Sequence, residues 1–244
     1  NAFIQHAFTP KFNIQAEVRR RETEHGFLLR DFDDRRSFDS FLNQEQRNKI
    51  DENTARIGAS YQLSPSQDLL LSGKYINRNF EITDNISRGL KNSGFQIEAQ
   101  HLLRHKYFNS IFGGGVYRFN WIQPLDDNRR KLPFKYLGRE NIYFYTNINY
   151  IQNLNITLGL SYDSFSSPIS GRKQDEINPK FGVQWNLFKS LRLRAAWFEN
   201  TKSNFMAQQT LEPTQIAGFN QFFDDFDATR TQRMGIGLDY HMSH

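Results

Sequence analysis

The side chains with the clearest chemical potential are charged residues at every second position of short alternating stretches. Arg192 and Arg194, for example, alternate with Leu191 and Leu193. Because successive side chains of a β-strand point to opposite faces, such charges are expected to share one face of a sheet. The sequence places nine basic and three acidic residues on that face, as candidates for lining a lumen: Glu17, Arg19, Arg21, Arg56, Lys74, Arg78, Glu98, Arg118, Arg192, Arg194, Arg233 and Asp239.

These charges allow two interpretations. They can form ion pairs that hold neighbouring strands in register, or they can form an anion-favouring wall, since rings of Arg and Lys bias pores toward anions. If the second interpretation holds, replacing Arg192 and Arg194 by Ala lowers anion selectivity in a planar-bilayer recording. An unchanged reversal potential would contradict it.

An apolar stretch inside a long connection is the second candidate site. Residues 216–223 read IAGFNQFF, and the connection around them runs from residue 203 to residue 229. We expect this stretch either to fold into the mouth of the lumen as a constriction or to pack on another loop. The aromatic residues that would form the constriction are Phe219, Phe222 and Phe223.

The sequence predicts no enzyme, no metal site and no cofactor. His101 and His105 lie near the end of a predicted strand, so they do not share a helical face as a zinc pair would. Asp224, Asp225 and Asp227 are better explained as a solvated loop than as a calcium site. The three glycines at 113–115 lack the Gly-Lys-Ser/Thr continuation of a phosphate loop. A Gly-x-Ser-x-Gly nucleophile elbow is also missing.

The elements that must position these residues are strands. The clearest hairpin lies within residues 178–204, where Phe181, Val183 and Trp185 alternate with polar or small residues and a short turn follows. About eleven such strands can be recognised along the chain. Short turns near Pro10, Pro65, His105, Gln152 and Lys189 alternate with long polar connections. Outer-membrane barrels sort their loops in this way, with short periplasmic turns and long extracellular loops.

Composition agrees with a membrane barrel better than with the alternative, a soluble barrel or sandwich. The 244 residues include 15% aromatics and no Cys, and no apolar run approaches the eighteen residues of a membrane helix. The net charge of +5 comes from interspersed acidic and basic residues, so nucleic acid is not an expected partner. The fold class predicted is all-β: an antiparallel transmembrane β-barrel, with its apolar face in outer-membrane lipid.

The strand count predicts that the complete barrel contains more strands than this sequence supplies. Bacterial single-chain barrels have even numbers of strands, whereas about eleven are visible here. The sequence ends at His244 in what looks like the start of another turn. We therefore expect residues 1–244 to form a single domain that is incomplete at one or both ends.

Several motifs give the sequence a family resemblance. Residues 178–185 read NPKFGVQW, residues 191–197 read LRLRAAW, and residues 211–213 read LEP, after Tyr162-Asp163. In this order they resemble the C-terminal barrel half of TonB-dependent outer-membrane receptors, over roughly residues 158–213.

The resemblance implies a bacterial outer-membrane location, solute uptake and a TonB-type energising complex as partner. A plug domain and a TonB box are not recognised in the sequence. Similar barrels are fused to periplasmic tetratricopeptide-repeat scaffolds in exopolysaccharide secretion porins, so a periplasmic scaffold is an alternative partner. A structural or adhesive barrel without transport is a third interpretation.

Overall fold

The structure, a computed structural model, describes residues 1–26, 47–83, 88–122, 135–166, 173–201, 209–221 and 229–242. Its strands are β1 Ala2–Thr9, β2 Phe12–Gly26, β3 Arg47–Ser64, β4 Gln67–Thr83, β5 Arg88–Arg104, β6 Phe108–Ile122, β7 Lys135–Ile148, β8 Leu154–Ser166, β9 Lys173–Phe188, β10 Leu191–Thr201, β11 Gln215–Ile216, β12 Phe219–Asn220 and β13 Arg230–Tyr240. Eleven of them form one antiparallel sheet in the order β1 to β10 and then β13. The predicted all-β meander is confirmed.

The two faces of this sheet differ in chemistry because the alternation of each strand stays in register with its neighbours. Leu158 of β8 pairs with Phe181 of β9, for example, and Ser161 pairs with Asn178. Directly paired residues point to the same side of an antiparallel sheet. Apolar side chains therefore collect on one face, which we call the outer face, and amides, hydroxyls and charges collect on the other, which we call the polar face.

The outer face exposes large apolar side chains along the whole sheet. Ile57, Ile97 and Ile236 are 58%, 58% and 83% exposed, and Phe112 and Trp185 lie on the same face. Burying one such side chain stabilises a protein by about 1.5–3 kcal/mol, so a face of this kind requires an apolar environment. Hydrocarbon is that environment for a sheet whose backbone groups are paired between strands.

Connections differ in length between the two ends of the sheet. At one end the strands are joined by residues 10–11, 65–66, 105–107, 149–153 and 189–190. At the other end the connections are longer, with one exception. The polar composition of residues 84–93 predicts a loop, but β4 and β5 are separated by only four residues. That expectation was wrong because a strand that is polar on both faces shows no alternation.

β3, β4 and β5 continue past the apolar part of the outer face. The aromatic residues Tyr75 and Phe95 are the last large apolar groups there, at the level of Ala55. Beyond them the outer positions of β3 and β4 carry polar residues such as Asp51 and Asn79. Aromatic residues commonly mark the boundary between hydrocarbon and water, so the polar ends of these strands stand outside the hydrocarbon layer.

This boundary can be tested with single cysteines, because residues 1–244 contain none. Lys49→Cys, in the polar part of β3, is expected to react with a membrane-impermeant maleimide on intact cells. Ile57→Cys, on the same face and strand, is expected to stay unlabelled because lipid covers it. Equal labelling of both variants would contradict the assignment.

The described residues contain no helix that is long and apolar enough to cross a membrane. The buried apolar cluster lies on the polar face, not between two sheets. It contains Tyr143, Tyr145, Ala196, Phe198, Ile216 and Ala217. Its last two members belong to the connection between β10 and β13, and they lead to the candidate site.

Candidate functional site

Residues 209–221, which we call the inner segment, lie against the polar face of the sheet. Their middle part forms the short hairpin β11–β12, closed by Ala217 and Gly218 with φ values of 49° and 82°. Glycine adopts such a left-handed conformation without steric cost, so Gly218 suits this turn. The backbone N–H of Gln221 donates to the carbonyl oxygen of Thr214 at 3.0 Å and closes the base of the hairpin.

The tip of this hairpin fits into space left by glycines of the sheet. A Cβ atom added at Gly182 of β9 would lie 2.9 Å from both Ala217 Cβ and Ile216 Cγ2. A Cβ atom at Gly235 of β13 would lie 2.7 Å from the ring of Phe219. Ile216 is completely buried as a result. These glycines are therefore needed for close packing, not for backbone conformation.

The first residues of the inner segment are held by hydrogen bonds from β4 and β5. Lys74 Nζ and Gln96 Nε2 donate to the carbonyl oxygen of Gln209, at 2.8 and 2.9 Å. Glu98 accepts hydrogen bonds from the Thr210 hydroxyl and from the backbone N–H of Leu211. A buried carboxylate with several donors is satisfied, so this end of the segment has a defined position.

Glu212 is the centre of the contact between the inner segment and the sheet. The Tyr145 hydroxyl donates to its Oε1 at 2.7 Å, and Asn141 Nδ2 donates to its Oε2 at 3.1 Å. Arg139 lies 3.6 Å from the same carboxyl group. Burial raises the pKa of Glu212, and the charge of Asp163 adds to the rise, whereas the positive charges of Arg139 and Lys180 oppose it.

A buried ion pair between Arg139 and Asp163 lies next to Glu212. Arg139 of β7 donates to Asp163 of β8, with Nε and Oδ1 2.9 Å apart, and both side chains are almost fully buried. Asn178 of β9 donates to the other carboxylate oxygen at 2.8 Å. Lys180 donates to the Ser161 hydroxyl at 2.9 Å. The network joins three strands to the inner segment through polar contacts alone.

The register places eleven of the twelve predicted charged residues on the polar face. They are Glu17, Arg19, Arg21, Arg56, Lys74, Arg78, Glu98, Arg192, Arg194, Arg233 and Asp239. Several are paired: Arg56 with Glu17, and Arg194 with Asp239 at 2.7 and 2.9 Å. Their assignment to a lumen stays a prediction, which the bilayer recording proposed above addresses.

Arg118 is the exception, because it lies on the outer face. It pairs with Phe95 of β5 and forms an ion pair with Glu140, which also points outward. The prediction for Arg118 was wrong because the preceding three glycines have no side chains that would show the alternation. Tyr117, its neighbour in sequence, points to the polar face. Arg118 lies at the level of the boundary aromatics, where a paired charge can reach water.

The predicted constriction residues fall in two groups. Phe219 packs beneath the Arg194 guanidinium, 5.0 Å from the ring centroid, on the polar face. Phe222 and Phe223 lie outside the described residues. Within the described ranges no group of His, Asp and Glu is arranged to hold a metal ion.

Sequence reasoning missed the most buried part of the site. Arg139 and Glu212 stand among residues typical of loops, and Tyr143, Tyr145 and Lys180 are not among the predicted site residues. One signal was available: Arg139, Asn141, Tyr143 and Tyr145 occupy alternate positions of β7. Their aromatic side chains hid the polar character of that face.

The fold and the site together define a class of protein. A meander with an apolar outer face, sorted connections and a polar inner face that holds a folded-in segment is part of the wall of an outer-membrane β-barrel. The chain belongs to the TonB-dependent receptor-like β-barrel family, whose family model matches residues 5–242. Its location is therefore the bacterial outer membrane. No curated protein matches the sequence.

Solved structures show the same fold at low sequence identity. The FrpB iron transporter from Neisseria meningitidis is 14% identical with a TM-score of 0.72, over 98% of this chain and 42% of that one. The siderophore receptor PirA from Pseudomonas aeruginosa is 12% identical with a TM-score of 0.68, over 99% and 42%. The alcaligin outer-membrane receptor FauA from Bordetella pertussis is 7% identical with a TM-score of 0.68, over 97% and 39%. The chain spans about two fifths of these proteins.

Proposed function

We propose that this chain forms part of the barrel wall of a transporter that moves a solute across the outer membrane, with the inner segment narrowing the path. The observation that carries the proposal is the position of residues 209–221 on the polar face, where contacts reach from β4 to β13. A folded-in segment held by hydrogen bonds is a device that narrows a water-filled path.

The hydrogen bonds between the inner segment and the sheet support a path that opens when the segment leaves the sheet. The inner segment is attached through separate hydrogen bonds to Gln209, Leu211 and Glu212, with apolar packing mainly at Ile216. In water such hydrogen bonds are exchanged for bonds to solvent, at a net cost of about 0.5–1.5 kcal/mol for a neutral bond and about 1.5–3 kcal/mol for a bond to a charged group. Undocking therefore requires far less than unfolding of the sheet.

The conductance of the complete protein in a planar bilayer tests this proposal. Gly182→Val should displace the hairpin tip, because its side chain would overlap Ala217 and Ile216, and the conductance should rise several-fold. Gly73→Val is the matched control, since Gly73 lies on the outer face and a Cβ there meets only the Ile57 side chain, at 3.2 Å. If the barrels of both variants fold and neither variant conducts ions, the proposal is refuted.

The solved structures with the same fold suggest which solute to test. FrpB is named as an iron transporter and PirA as a siderophore receptor, so uptake of a ferric siderophore with a TonB-type complex as energy source is the first activity to test. Cells that depend on the complete protein for iron should grow on one of a panel of ferric siderophores. Growth should stop when the energising complex is deleted. Growth that is independent of the complex would point to a passive channel.

A further inference from the structure

The short connections at one end of the sheet carry positive charge. They are residues 10–11, 65–66, 105–107, 149–153 and 189–190. Together they contain three lysines, Lys11, Lys106 and Lys189, and no carboxylate. Because outer-membrane barrels have their short turns on the periplasmic side, these lysines lie at the periplasmic surface of the membrane.

Two neighbouring turns build an aromatic cluster around one of these lysines. The rings of Phe108 and His105 are 4.8 Å apart between centroids, and those of His105 and Tyr107 are 5.7 Å apart. Tyr107 in turn contacts Tyr150 of the second turn at 5.1 Å. Lys106 Nζ lies 5.0 Å from the centre of the Tyr107 ring, which is within the range of a cation–π contact. We call these five residues the turn cluster.

Backbone hydrogen bonds hold the two turns in place. The N–H of His105 donates to the carbonyl oxygen of Phe108 at 2.8 Å and closes the first turn. The N–H of Asn149 donates to the carbonyl oxygen of Tyr107 at 2.9 Å and joins the second turn to the first. A site that is ordered before its ligand arrives loses less conformational entropy on binding.

The turn cluster lies where the apolar outer face ends. Phe108 pairs with Ile148, and both occupy outer positions of the sheet. Tyr107 and Tyr150 lie just beyond this pair, and their side chains are 39% and 70% exposed. Tyrosine is enriched at the boundary between membrane and water, because its ring is apolar and its hydroxyl is polar. The cluster is therefore at the level of the lipid headgroups.

We propose that the turn cluster binds the headgroup of an anionic phospholipid, such as phosphatidylglycerol, in the periplasmic leaflet of the membrane. Lys106 supplies the positive charge for the phosphate, and the hydroxyls of Tyr107 and Tyr150 supply hydrogen-bond donors. The acyl chains of the lipid extend along the outer face, next to Phe108 and Ile148.

The charges of the two turns favour an anionic headgroup over a zwitterionic one. A zwitterionic headgroup carries an ammonium group beside its phosphate, and neither turn contains a carboxylate that could pair with this group. Within the described ranges Lys106 has no carboxylate partner, whereas its neighbour Arg104 is paired with Asp68. Lys106 is therefore available to the phosphate without the loss of an existing ion pair.

Native mass spectrometry of the complete protein in detergent tests the site. The probe is dioleoylphosphatidylglycerol, and dioleoylphosphatidylethanolamine offers the same acyl chains with a zwitterionic headgroup. We expect phosphatidylglycerol to bind about tenfold more tightly. Lys106→Gln should weaken its binding about fivefold, the effect of one lysine at an anionic membrane surface. Lys189→Gln is the matched control: it removes an exposed lysine from the turn between β9 and β10 and should leave the affinity unchanged.

The comparison of the two variants separates a site from a general effect of surface charge. Binding of phosphatidylglycerol that is weakened in Lys106→Gln and kept in Lys189→Gln supports the proposal. Equal affinity for the two lipids, unchanged binding in Lys106→Gln, or equal losses in both variants would overturn it.

A photoreactive side chain in the turn cluster identifies the occupant in cells. Tyr150→p-benzoylphenylalanine keeps an aromatic ring at this exposed position. Irradiation of cells that carry the complete protein should attach a phospholipid to residue 150. Attachment of a periplasmic protein in its place would overturn the proposal. Neither experiment measures conduction or uptake, so both results are independent of the transport function proposed above.

Discussion

Replacing Glu212 by Ala is expected to release the inner segment from the sheet. The substitution removes the acceptor of the Tyr145 and Asn141 hydrogen bonds, and it removes the carboxyl group that lies 3.6 Å from Arg139. Hydrogen bonds to charged groups contribute about 1.5–3 kcal/mol each. A loss of about 3 kcal/mol increases the undocked fraction roughly a hundredfold, since each 1.4 kcal/mol is a factor of ten.

A cysteine at position 217 measures this release. Ala217 is buried against the sheet in the docked segment, and residues 1–244 contain no cysteine that would compete for the label. The rate of maleimide labelling of Ala217→Cys should therefore rise by about two orders of magnitude when Glu212→Ala is added.

The matched control is Glu140→Ala in the same cysteine background. Glu140 is also a carboxylate, but it belongs to β7, points outward and pairs with Arg118. Its removal should leave the labelling rate unchanged. If Glu212→Ala and Glu140→Ala give the same rate, Glu212 is not what holds the segment.

Asp163→Ala is expected to have the largest effect on the stability of the barrel. Asp163 and Arg139 are 0% and 3% exposed, so the substitution leaves a buried guanidinium without its nearest carboxylate, with that of Glu212 3.6 Å away. Breaking a buried pair by removing one partner costs about 3–5 kcal/mol. Urea unfolding of the complete protein, followed by tryptophan fluorescence, should show a loss of that size.

A double variant distinguishes the charge effect from a loss of packing. Arg139→Met combined with Asp163→Leu removes both charges and keeps apolar volume, and such replacements are often neutral or stabilising. We expect it to recover most of the stability lost in Asp163→Ala. A double variant that is less stable than Asp163→Ala would show that the pair itself, with its bonds to Asn178 and Ser161, is required.

The eleven-stranded meander could be predicted because each strand repeats the same signal. In β8 the apolar residues Leu154, Ile156, Leu158 and Leu160 alternate without interruption, and lipid on one side with water on the other requires this pattern. The ends of the long strands could not be predicted. Beyond Tyr75 the outer positions of β4 are polar, whereas Ile76 and Phe80 lie at inner positions, so the alternation is reversed there and the hydrogen bonds to β3 and β5 maintain the strand.

Less of the site could be predicted, because its residues lie far apart in the sequence. Arg139, Asp163, Lys180 and Glu212 meet only after β7, β8 and β9 have paired in register and the inner segment has folded back. No spacing rule connects residues separated by about twenty to seventy positions along a chain. Glu212 is also surrounded by residues typical of a loop, so nothing in the sequence marks it as buried.

The unequal strand lengths have a consequence for how the barrel meets its surroundings. β3 to β5 contain 17 or 18 residues, whereas β10 and β13 contain 11. At about 3.3 Å per residue and a tilt of about 45°, these strands rise roughly 40 Å and 25 Å. The rim is therefore about 15 Å higher on one side of this arc than on the other. The ends of β3 to β5 therefore extend further from the hydrocarbon layer than the ends of β10 and β13, which lie closer to the lipid surface.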